Sequence, residues 1–310
     1  MEFLCQMKEK STQAHIALLL VNVLYGASHV LAKGVMPDFL SPTVFILFRA
    51  AGATLLFWIV LSMSKRSKIE GKDFLLMAVC GLFGVAINQL FFFHGLNLSS
   101  AFNSGIIMAL NPIIVVILSF FLLKERLTAF KLTGITLGAT GAVLLTLKAS
   151  TGMGGSRLGD LFLFINALSY AIYLVLAKPL MKKYSPIQVI TWVFTFGLLF
   201  VLLFPPTLQE LAQTDFGRIS NVIWMKIIYV IIGVTFLTYL LTIFGLKYLS
   251  ATISSAYIYT QPVMVMLFTF LFAYIGWSDD YRHTINAEKI LYMFVIFTGV
   301  YLTSKSTSKQ

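Results

Sequence analysis

Long apolar runs separated by short polar loops are the feature of this 310-residue sequence that most constrains its fold. A helix needs about 20 apolar residues to cross the hydrocarbon layer of a membrane. The runs therefore predict an all-α polytopic membrane protein, in which ten transmembrane helices make up the whole molecule. The predicted spans lie near 13–34, 42–63, 74–97, 100–123, 129–148, 159–180, 186–205, 222–246, 250–276 and 287–304.

The composition excludes a soluble globular domain. Hydrophobic residues make up 58% of the chain and charged residues only 11%, whereas a soluble domain carries about 25% charged residues. In a soluble protein the formal net charge of +11 would suggest a nucleic-acid partner. Here the basic residues lie in short loops between apolar runs, where they set membrane orientation. We therefore expect the partner to be a lipid bilayer and not a nucleic acid.

The distribution of basic residues among the loops predicts the orientation of the chain. With ten spans both termini lie on one side, and that side carries fifteen Lys and Arg residues against seven on the other. Cytoplasmic loops carry the excess of Lys and Arg. We therefore predict a multi-pass protein of the cell inner (plasma) membrane with both termini in the cytoplasm. The first apolar run has no clear cleavage site and is interpreted as a retained helix.

Two pairs of segments indicate an internal repeat. Residues 95–112 (GLNLSSAFNSGIIMALNP) match residues 245–262 (GLKYLSATISSAYIYTQP) without a gap, and Ser41-Pro42 matches Ser185-Pro186. Repeats of this kind are the sequence signature of a duplicated structural unit. The matches predict that each half of the chain holds five spans.

The predicted units are a first repeat at 13–148 and a second repeat at 159–304, joined by a linker at 149–158. Because five is an odd number, the second unit enters the membrane from the opposite side, and the repeats are inverted. Inverted repeats recur in secondary transporters, where the substrate site lies near the midplane between the halves. The sequence thus predicts a central cavity between two inverted five-helix repeats. A duplication without a transport role is the alternative.

Polar and aromatic side chains recur on one face of several predicted spans. In the first span, Asn22, Tyr25 and His29 have the spacing of one helical face. Polar groups are costly inside a membrane, so they usually face the interior of the helix bundle. The residues predicted to bind substrate in the cavity are Asn22, Tyr25, His29, Arg49, Asn88, Gln89, Phe92, Ser104, Met108, Asn111, Asn166, Tyr170, Tyr173, Tyr239, Tyr257 and Gln261.

Structural roles are the alternative for these residues. Ser and Thr in membrane helices often bond to a backbone carbonyl of their own helix. Arg49 is either an electrostatic contact for a substrate carboxylate or phosphate, or a structural residue that bonds to backbone carbonyls. Either binding or packing explains His29, and His94 is interpreted as a buried packing residue. Pro112 and Pro262 are expected to kink their helices.

No Asp or Glu lies deep within any predicted span. Proton-driven transporters commonly use membrane carboxylates as relays. Proton coupling would therefore depend on His29 or His94, because imidazole titrates near neutral pH. Without such coupling the protein would be a facilitator or an exchanger, which makes protons an optional partner.

Several motifs carry a resemblance to a known family. Arg49 lies in the second span, Asn111-Pro112 in the fourth, and the fourth span closes on the turn 123–128 (LKERLT) before a glycine-rich fifth span. With these features the chain resembles the EamA-type branch of the drug/metabolite transporter superfamily over residues 13–304. The second half departs from the family pattern at 275–280, where a second glutamate turn is expected.

The resemblance implies a ten-helix transporter with a central cavity lined by both halves. Members of the superfamily move amino acids, other metabolites, vitamins, nucleosides or toxic compounds, often outward. The fold alone does not select among these substrates.

We predict a secondary transporter that works by alternating access and exports amino acids or related metabolites. Uptake or exchange of a vitamin, nucleoside or nucleotide-like cofactor is the alternative. An intramembrane enzyme and a non-transporting scaffold are the remaining classes; the sequence lacks motifs such as His-Glu-x-x-His that an enzyme would need, and its polar stripes argue against a scaffold. We expect no enzyme activity, no cofactor and no metal, and a monomer or homodimer.

Overall fold

The computed structural model describes residues 2–31, 35–36, 39–99, 107–149, 156–274 and 287–305. Helices account for nearly all of these residues, and the described ranges contain no strand. The predicted all-α class is therefore confirmed. Residues 150–155 of the predicted linker at 149–158 and parts of the predicted spans at 13–34, 100–123 and 250–276 fall outside the described residues.

Ten principal helices run through the described ranges, numbered here in chain order. They are α1 (Glu2–Leu31), α2 (Pro42–Ser62), α3 (Gly71–Leu98), α4 (Asn111–Leu123), α5 (Ala129–Ala149), α6 (Arg157–Lys183), α7 (Pro186–Leu203), α8 (Asn221–Tyr248), α9 (251–274) and α10 (Ala287–Lys305). A short helix, Pro206–Gln213, follows α7.

Five of these helices, α2, α3, α6, α7 and α8, are long and apolar enough to cross a membrane. Shorter apolar helices accompany them, among them Asn111–Leu123. These lengths agree with a polytopic membrane protein, because about 20 apolar residues span the hydrocarbon layer. The number of ten crossings and the inverted relation between the halves stay predictions.

Serine residues start several of the helices. Ser41, Ser156, Ser185, Ser220 and Ser250 each accept a hydrogen bond from the backbone N–H three residues further on. Such caps satisfy donors that the first turn of a helix leaves unpaired. The matched Ser-Pro pairs of the sequence repeat therefore cap the starts of α2 and α7 in the same way, with proline at the first helical position.

Both prolines that were predicted to kink helices follow an irregular turn. Residues 109–110 form a turn before α4 begins at Asn111, so Pro112 lies in the first turn of α4. In α9 the 3₁₀ segment Tyr257–Thr260 is followed by an α-helical segment that begins at Gln261. Proline is tolerated in the first turn because the N–H that it lacks has no partner there.

Two π-helical segments interrupt the long helices α3 and α8. They cover Leu82–Ile87 and Val230–Leu237. A π turn disturbs the regular hydrogen-bond ladder and often marks a functional site. The first segment lies 150 residues before 232–237, which is the same offset that relates 95–112 to 245–262. Each half of the chain therefore carries this irregularity at a matching place.

Glycine allows close helix contact at two places that shape the interior. A Cβ atom on Gly84 would lie 2.5 Å from Cδ2 of Tyr173, so α6 packs directly on the π segment of α3. A Cβ atom on Gly299 would lie 2.5 Å from the backbone N of Gly138, so α10 packs backbone to backbone on α5. Small residues permit such approaches between membrane helices.

Candidate functional site

A cavity of about 380 Å³ lies among α1, α2, α3, α4, α6, α8 and α9. Its walls combine aromatic rings, amide side chains and one arginine. Thirteen of the predicted binding residues line it: Asn22, Tyr25, Arg49, Asn88, Gln89, Phe92, Met108, Asn111, Asn166, Tyr170, Tyr239, Tyr257 and Gln261. The structure thus brings together residues that are up to 239 positions apart, from Asn22 to Gln261.

Of the other three predicted residues, Tyr173 lies outside this wall. Tyr173 is fully buried in the core and packs against Gly84 and against the rings of Tyr170 and Tyr239. Its helical spacing resembles that of Asn166 and Tyr170, but the turn it occupies faces the α3 backbone instead of the cavity. Ser104 and the side chain of His29 lie outside the described residues.

Phe92 and Met108 are the predicted apolar residues of the wall, and nine others were not predicted. They are Leu18, Val21, Met36, Phe45, Phe93, Leu96, Val230, Val234 and Ile258. In a membrane helix an apolar side chain that faces a cavity looks the same in sequence as one that faces lipid. No signal in a single sequence identifies these residues.

Arg49 is buried in α2, and two kinds of contact hold its guanidinium. Its Nε donates to Oγ1 of Thr235 at 3.1 Å, and its Cζ lies 4.8 Å from the ring centroid of Phe93 and 5.7 Å from that of Phe45. Thr235 itself donates to the carbonyl oxygen of Val230 inside the π segment of α8. These contacts connect α2 and α3 to α8.

The positive charge of Arg49 has no carboxylate partner among the described residues. Arginine stays protonated in proteins, and a buried charge without a counter-ion is costly. The hydroxyl and ring contacts of Arg49 only partly offset that cost. Since Arg49 lines the cavity, the cavity offers a favourable place for an anionic group.

Several polar atoms of the wall are buried and have no hydrogen-bond partner among the described residues. They include both amide atoms of Gln89, Oδ1 of Asn111 and Oγ of Ser254. Tyr239 is a polar neighbour of Gln89, but its hydroxyl donates to the carbonyl oxygen of Gly84 at 3.0 Å. Unpaired buried polar groups are costly. A bound molecule or water that pairs with them would therefore be stabilised.

Other amides of the wall tie helices together. Nδ2 of Asn166 donates to the carbonyl oxygen of Asn88 at 2.7 Å, which joins α6 to α3. Nδ2 of Asn111 donates to the carbonyl oxygen of Ala167 at 2.7 Å, which joins α4 to α6. These two amide nitrogens join helices, so only the amide oxygens of the two side chains are open to a ligand.

Histidine positions differ from the expectation based on sequence. Nδ1 of His15 lies 2.7 Å from the hydroxyl of Tyr257, a residue of the cavity wall. Nε2 of His94 lies 3.3 Å from Oγ1 of Thr43, in agreement with a packing role. His15 was not among the residues predicted from sequence.

Glu125 of the glutamate turn fixes the start of α9. Its Oε1 accepts from the backbone N of Ala251 at 3.2 Å, and its Oε2 accepts from Oγ1 of Thr252 at 2.7 Å. Lys131 pairs with the same carboxylate at 3.3 Å. A carboxylate is favourable at a helix N-terminus because of the orientation of the peptide dipoles.

Lys178 of α6 fixes the preceding end of α8. Its Nζ donates to the carbonyl oxygens of Leu246 and Leu249 at 2.5 Å each, and lies 3.4 Å from the carbonyl oxygen of Lys247. A cation at a helix C-terminus satisfies carbonyls that have no intrahelical partner. Glu125 and Lys178 together hold the α8–α9 turn, one helical turn away from Ser254 in the cavity wall.

Comparison with known proteins identifies the family. The model of the EamA-like transporter family matches residues 12–147 and again residues 157–305. The two matches lie close to the units predicted at 13–148 and 159–304. They cover most of the chain.

Similar proteins occur in bacteria. The chain is 27% identical over 316 residues to the uncharacterized transporter YyaM of Bacillus subtilis, covering 97% of this chain and 98% of that protein. It is 26% identical over 266 residues to the uncharacterized transporter YetK of the same organism, covering 84% of this chain and 79% of that protein.

A crystal structure with 19% sequence identity has the same fold, with a TM-score of 0.70 over 97% of this chain and 99% of the other. The chain belongs to the EamA-like transporter family and is a multi-pass membrane transporter.

Proposed function

We propose that the protein is a secondary transporter that exports amino acids or related small metabolites by alternating access. The observation that carries the proposal is the cavity of about 380 Å³, which combines an uncompensated arginine, unpartnered amide atoms and an aromatic wall. Small-molecule sites have volumes of about 300–1,000 Å³ and a few placed polar groups. An amino acid with an apolar side chain matches these features.

Each part of such a substrate has a partner in the cavity. The carboxylate is placed near Arg49, because charge-assisted bonds of guanidinium to carboxylate are the strongest available there. The ammonium group donates to the free oxygens of Gln89 and Asn111. The apolar side chain packs on the rings of Tyr25 and Tyr170. Alternating access then moves the substrate from one side of the membrane to the other.

The alternative substrate class is a vitamin, nucleoside or nucleotide-like cofactor, taken up or exchanged. Four tyrosines line the cavity, namely Tyr25, Tyr170, Tyr239 and Tyr257. Aromatic rings stack on the flat ring systems of such molecules. A nucleoside carries no carboxylate. Whether binding depends on a carboxylate in the ligand therefore distinguishes the two substrate classes.

We propose ten crossings in two inverted repeats, with both termini in the cytoplasm of a cell with an inner (plasma) membrane. The matching π segments of α3 and α8 and the matching Ser-Pro starts of α2 and α7 support this architecture. The excess of basic residues on the side of the termini supports the orientation. In this arrangement the Glu125–Lys178 cluster closes the cytoplasmic end, and its release opens the cavity inward.

A matched ligand pair tests the substrate class. Purified protein is heated with phenylalanine or with its amide, which lacks the carboxylate, and with nucleosides and vitamins. A ligand that binds the folded state raises the apparent melting temperature by mass action. We expect phenylalanine to stabilise the protein and the amide to do so much less. Equal stabilisation by both would contradict the role of Arg49, and a response to nucleosides or vitamins alone would favour the alternative class.

Gln89→Leu tests the cavity itself. Since neither amide atom of Gln89 has a partner, we expect the apo protein to keep its stability. Binding and liposome counterflow of phenylalanine should weaken about tenfold, which corresponds to a lost hydrogen bond of about 1.4 kcal/mol. The control is Gln13→Leu, an exposed residue of α1 outside the cavity. Unchanged counterflow in folded Gln89→Leu would show that substrate does not use this cavity.

Coupling to protons, if present, is proposed to involve His15. Its contact with Tyr257 places an imidazole next to the cavity wall. Counterflow in liposomes with and without a pH gradient, for the natural chain and for His15→Gln, separates the cases. We expect the gradient to drive accumulation in the natural chain only. Equal gradient-driven accumulation in both would assign the coupling to another group, and no accumulation in either would leave the facilitator or exchanger as the mechanism.

A further inference from the structure

A second concavity, of about 470 Å³, opens between the α2–α3 loop and α7, away from the cavity residues. Its wall contains Trp58 and Leu61 of α2, Phe74 of α3 and Trp192 of α7. Its rim is formed by the loop residues Arg66, Ser67 and Ile69. We call it the loop cleft. None of its lining residues belongs to the cavity.

The wall of the loop cleft is a packed aromatic surface. The rings of Trp58 and Trp192 meet edge to face at 5.2 Å between centroids, and Phe74 meets Trp192 at 4.8 Å. The indole N–H of Trp58 donates to Oγ1 of Thr195 at 2.9 Å, so its polar group is satisfied inside the protein. What the wall offers outward is therefore apolar, and it suits a hydrocarbon chain.

The rim of the loop cleft is held in place. The buried side chain of Gln188 accepts from the backbone N of Ser67 at 3.1 Å and from its hydroxyl at 3.0 Å, and donates to its carbonyl oxygen at 2.6 Å. Next to it, Cζ of Arg66 lies 5.8 Å from the ring centroid of Trp58. Nε of Arg66 faces the carbonyl oxygen of Leu61 at 3.5 Å. The rim thus presents the guanidinium directly above the aromatic wall.

The charge around the rim is strongly positive. Lys65, Arg66, Lys68 and Lys72 are exposed, and among the described residues they take part in no ion pair. Two acidic residues lie close by in sequence, Glu70 and Asp73. Both form ion pairs with Lys183 of α6.

Lys183 of α6 pairs with these two acids, at 3.2 Å for Glu70 and 2.8 Å for Asp73. The hydroxyl of Tyr184 also donates to Asp73 at 2.8 Å. These contacts draw the acidic groups toward α6, where Lys183 compensates one of their two negative charges. The four cations around the rim therefore keep an excess of positive charge.

We propose that the loop cleft binds one anionic phospholipid of the surrounding membrane. Its phosphate group contacts Arg66 and the neighbouring lysines, and an acyl chain lies along Trp58, Trp192 and Phe74. Basic clusters at the ends of membrane helices attract anionic headgroups, and tryptophan prefers the membrane interface. In the proposed orientation this lipid belongs to the cytoplasmic leaflet. The site is independent of the transported substrate.

The test uses brominated lipids, which quench tryptophan fluorescence on contact. The full chain is placed in phosphatidylcholine nanodiscs that contain either brominated phosphatidylglycerol or brominated phosphatidylcholine at the same mole fraction. We expect the anionic lipid to quench about twice as strongly, because the basic rim concentrates it in the loop cleft. Equal quenching by the two lipids would overturn the proposal.

Substitutions locate the effect. Arg66→Gln combined with Lys68→Gln should bring the quenching ratio to about one, since the phosphate contacts are lost. The control is Lys305→Gln. Nζ of Lys305 also lies near an aromatic ring, 5.9 Å from the ring centroid of Tyr301, but Lys305 does not line the loop cleft. The control should keep the ratio of the natural chain. A ratio that falls equally in both would show general charge attraction and would overturn the site.

Two further experiments distinguish the proposed phospholipid from other occupants of the loop cleft. Trp58→Phe with Trp192→Phe should remove the lipid preference; a preference that persists through the other two tryptophans would place the lipid elsewhere and overturn the proposal. Excess inorganic phosphate should leave the quenching ratio unchanged, and loss of the ratio would identify free phosphate as the occupant. Weak quenching by both lipids, with crosslinking between copies at position 58, would show that a second copy covers the loop cleft.

Discussion

Helices α3 and α8 each contain a π-helical segment, but the carbonyl oxygens of the two segments are satisfied in different ways. In α3 the carbonyls of Phe83 and Gly84 accept from Ser169 of α6 and Tyr239 of α8. In α8 the carbonyl of Val230 accepts from Thr235 of the same helix. The carbonyls of the first segment are therefore bonded to neighbouring helices, and that of Val230 is bonded within α8.

The C-terminal ends of the two helices differ as well. The carbonyl oxygen of Leu98 at the end of α3 accepts from the backbone N of Ser156 at 2.9 Å, a neutral contact. The end of α8 is held by the ammonium group of Lys178. The C-terminal end of α8 is therefore held by charge-assisted contacts, and that of α3 by a neutral one.

Among the substitutions that test this comparison, Lys178→Met is expected to lower the free energy of unfolding most. The substitution keeps the length of the side chain but leaves carbonyl oxygens of Leu246 and Leu249 without their donor. We expect the free energy of unfolding to fall by about 3 kcal/mol, because a charge-assisted bond is lost and acceptors stay unpaired. Unfolding in mixed detergent micelles measures it. The control is Lys182→Met, at an exposed neighbouring position. An equal loss of stability in both variants would show that Lys178 does not stabilise the end of α8.

Gly84→Ala and Gly233→Ala compare the two π segments directly. A Cβ atom on Gly84 would overlap the ring of Tyr173 at 2.5 Å, whereas one on Gly233 would come no closer than 3.3 Å to Tyr229. We expect Gly84→Ala to destabilise the protein by about 2 kcal/mol through overpacking. Gly233→Ala should be nearly neutral. The same unfolding measurement applies, and a larger loss for Gly233→Ala would contradict this difference in packing.

Tyr239→Phe removes the bond that joins α8 to the π segment of α3. The hydroxyl donates to the carbonyl oxygen of Gly84 at 3.0 Å. Its loss should lower the free energy of unfolding by about 1 kcal/mol, the usual value of a neutral hydrogen bond. Tyr301→Phe, at an exposed position of α10, is the control and should change little. Indistinguishable values for the two would mean that this bond does not couple the helices.

The helical class and most of the polar lining could be predicted from sequence for the same reason. Lipid cannot hydrogen-bond to a polar side chain, so a residue such as Asn22 or Gln89 within an apolar run must face the interior. That rule is local, and it selected residues that now line one cavity. It failed for Tyr173, because a buried core position and a cavity position both shield a tyrosine from lipid.

Other features depended on contacts between distant segments. The neutral surroundings of Arg49 follow from Thr235 and Phe93, which are 186 and 44 positions away in the chain. The pairing of His15 with Tyr257 spans 242 positions. Such contacts leave no trace in the spacing of residues along one helix, so sequence patterns could not reveal them.

The sequence by itself determined the membrane class, the duplicated units and the polar stripes, because hydropathy and local spacing depend only on neighbouring residues. Tertiary structure alone decided where α3 and α8 depart from regular helix, which polar atoms stay unpaired, and how the α8–α9 turn is held. The physical reason is that each of these properties depends on which distant groups reach a given carbonyl, amide or charge. Lys178, which in sequence is a basic residue near a span end, is in the structure the donor to the last carbonyls of α8.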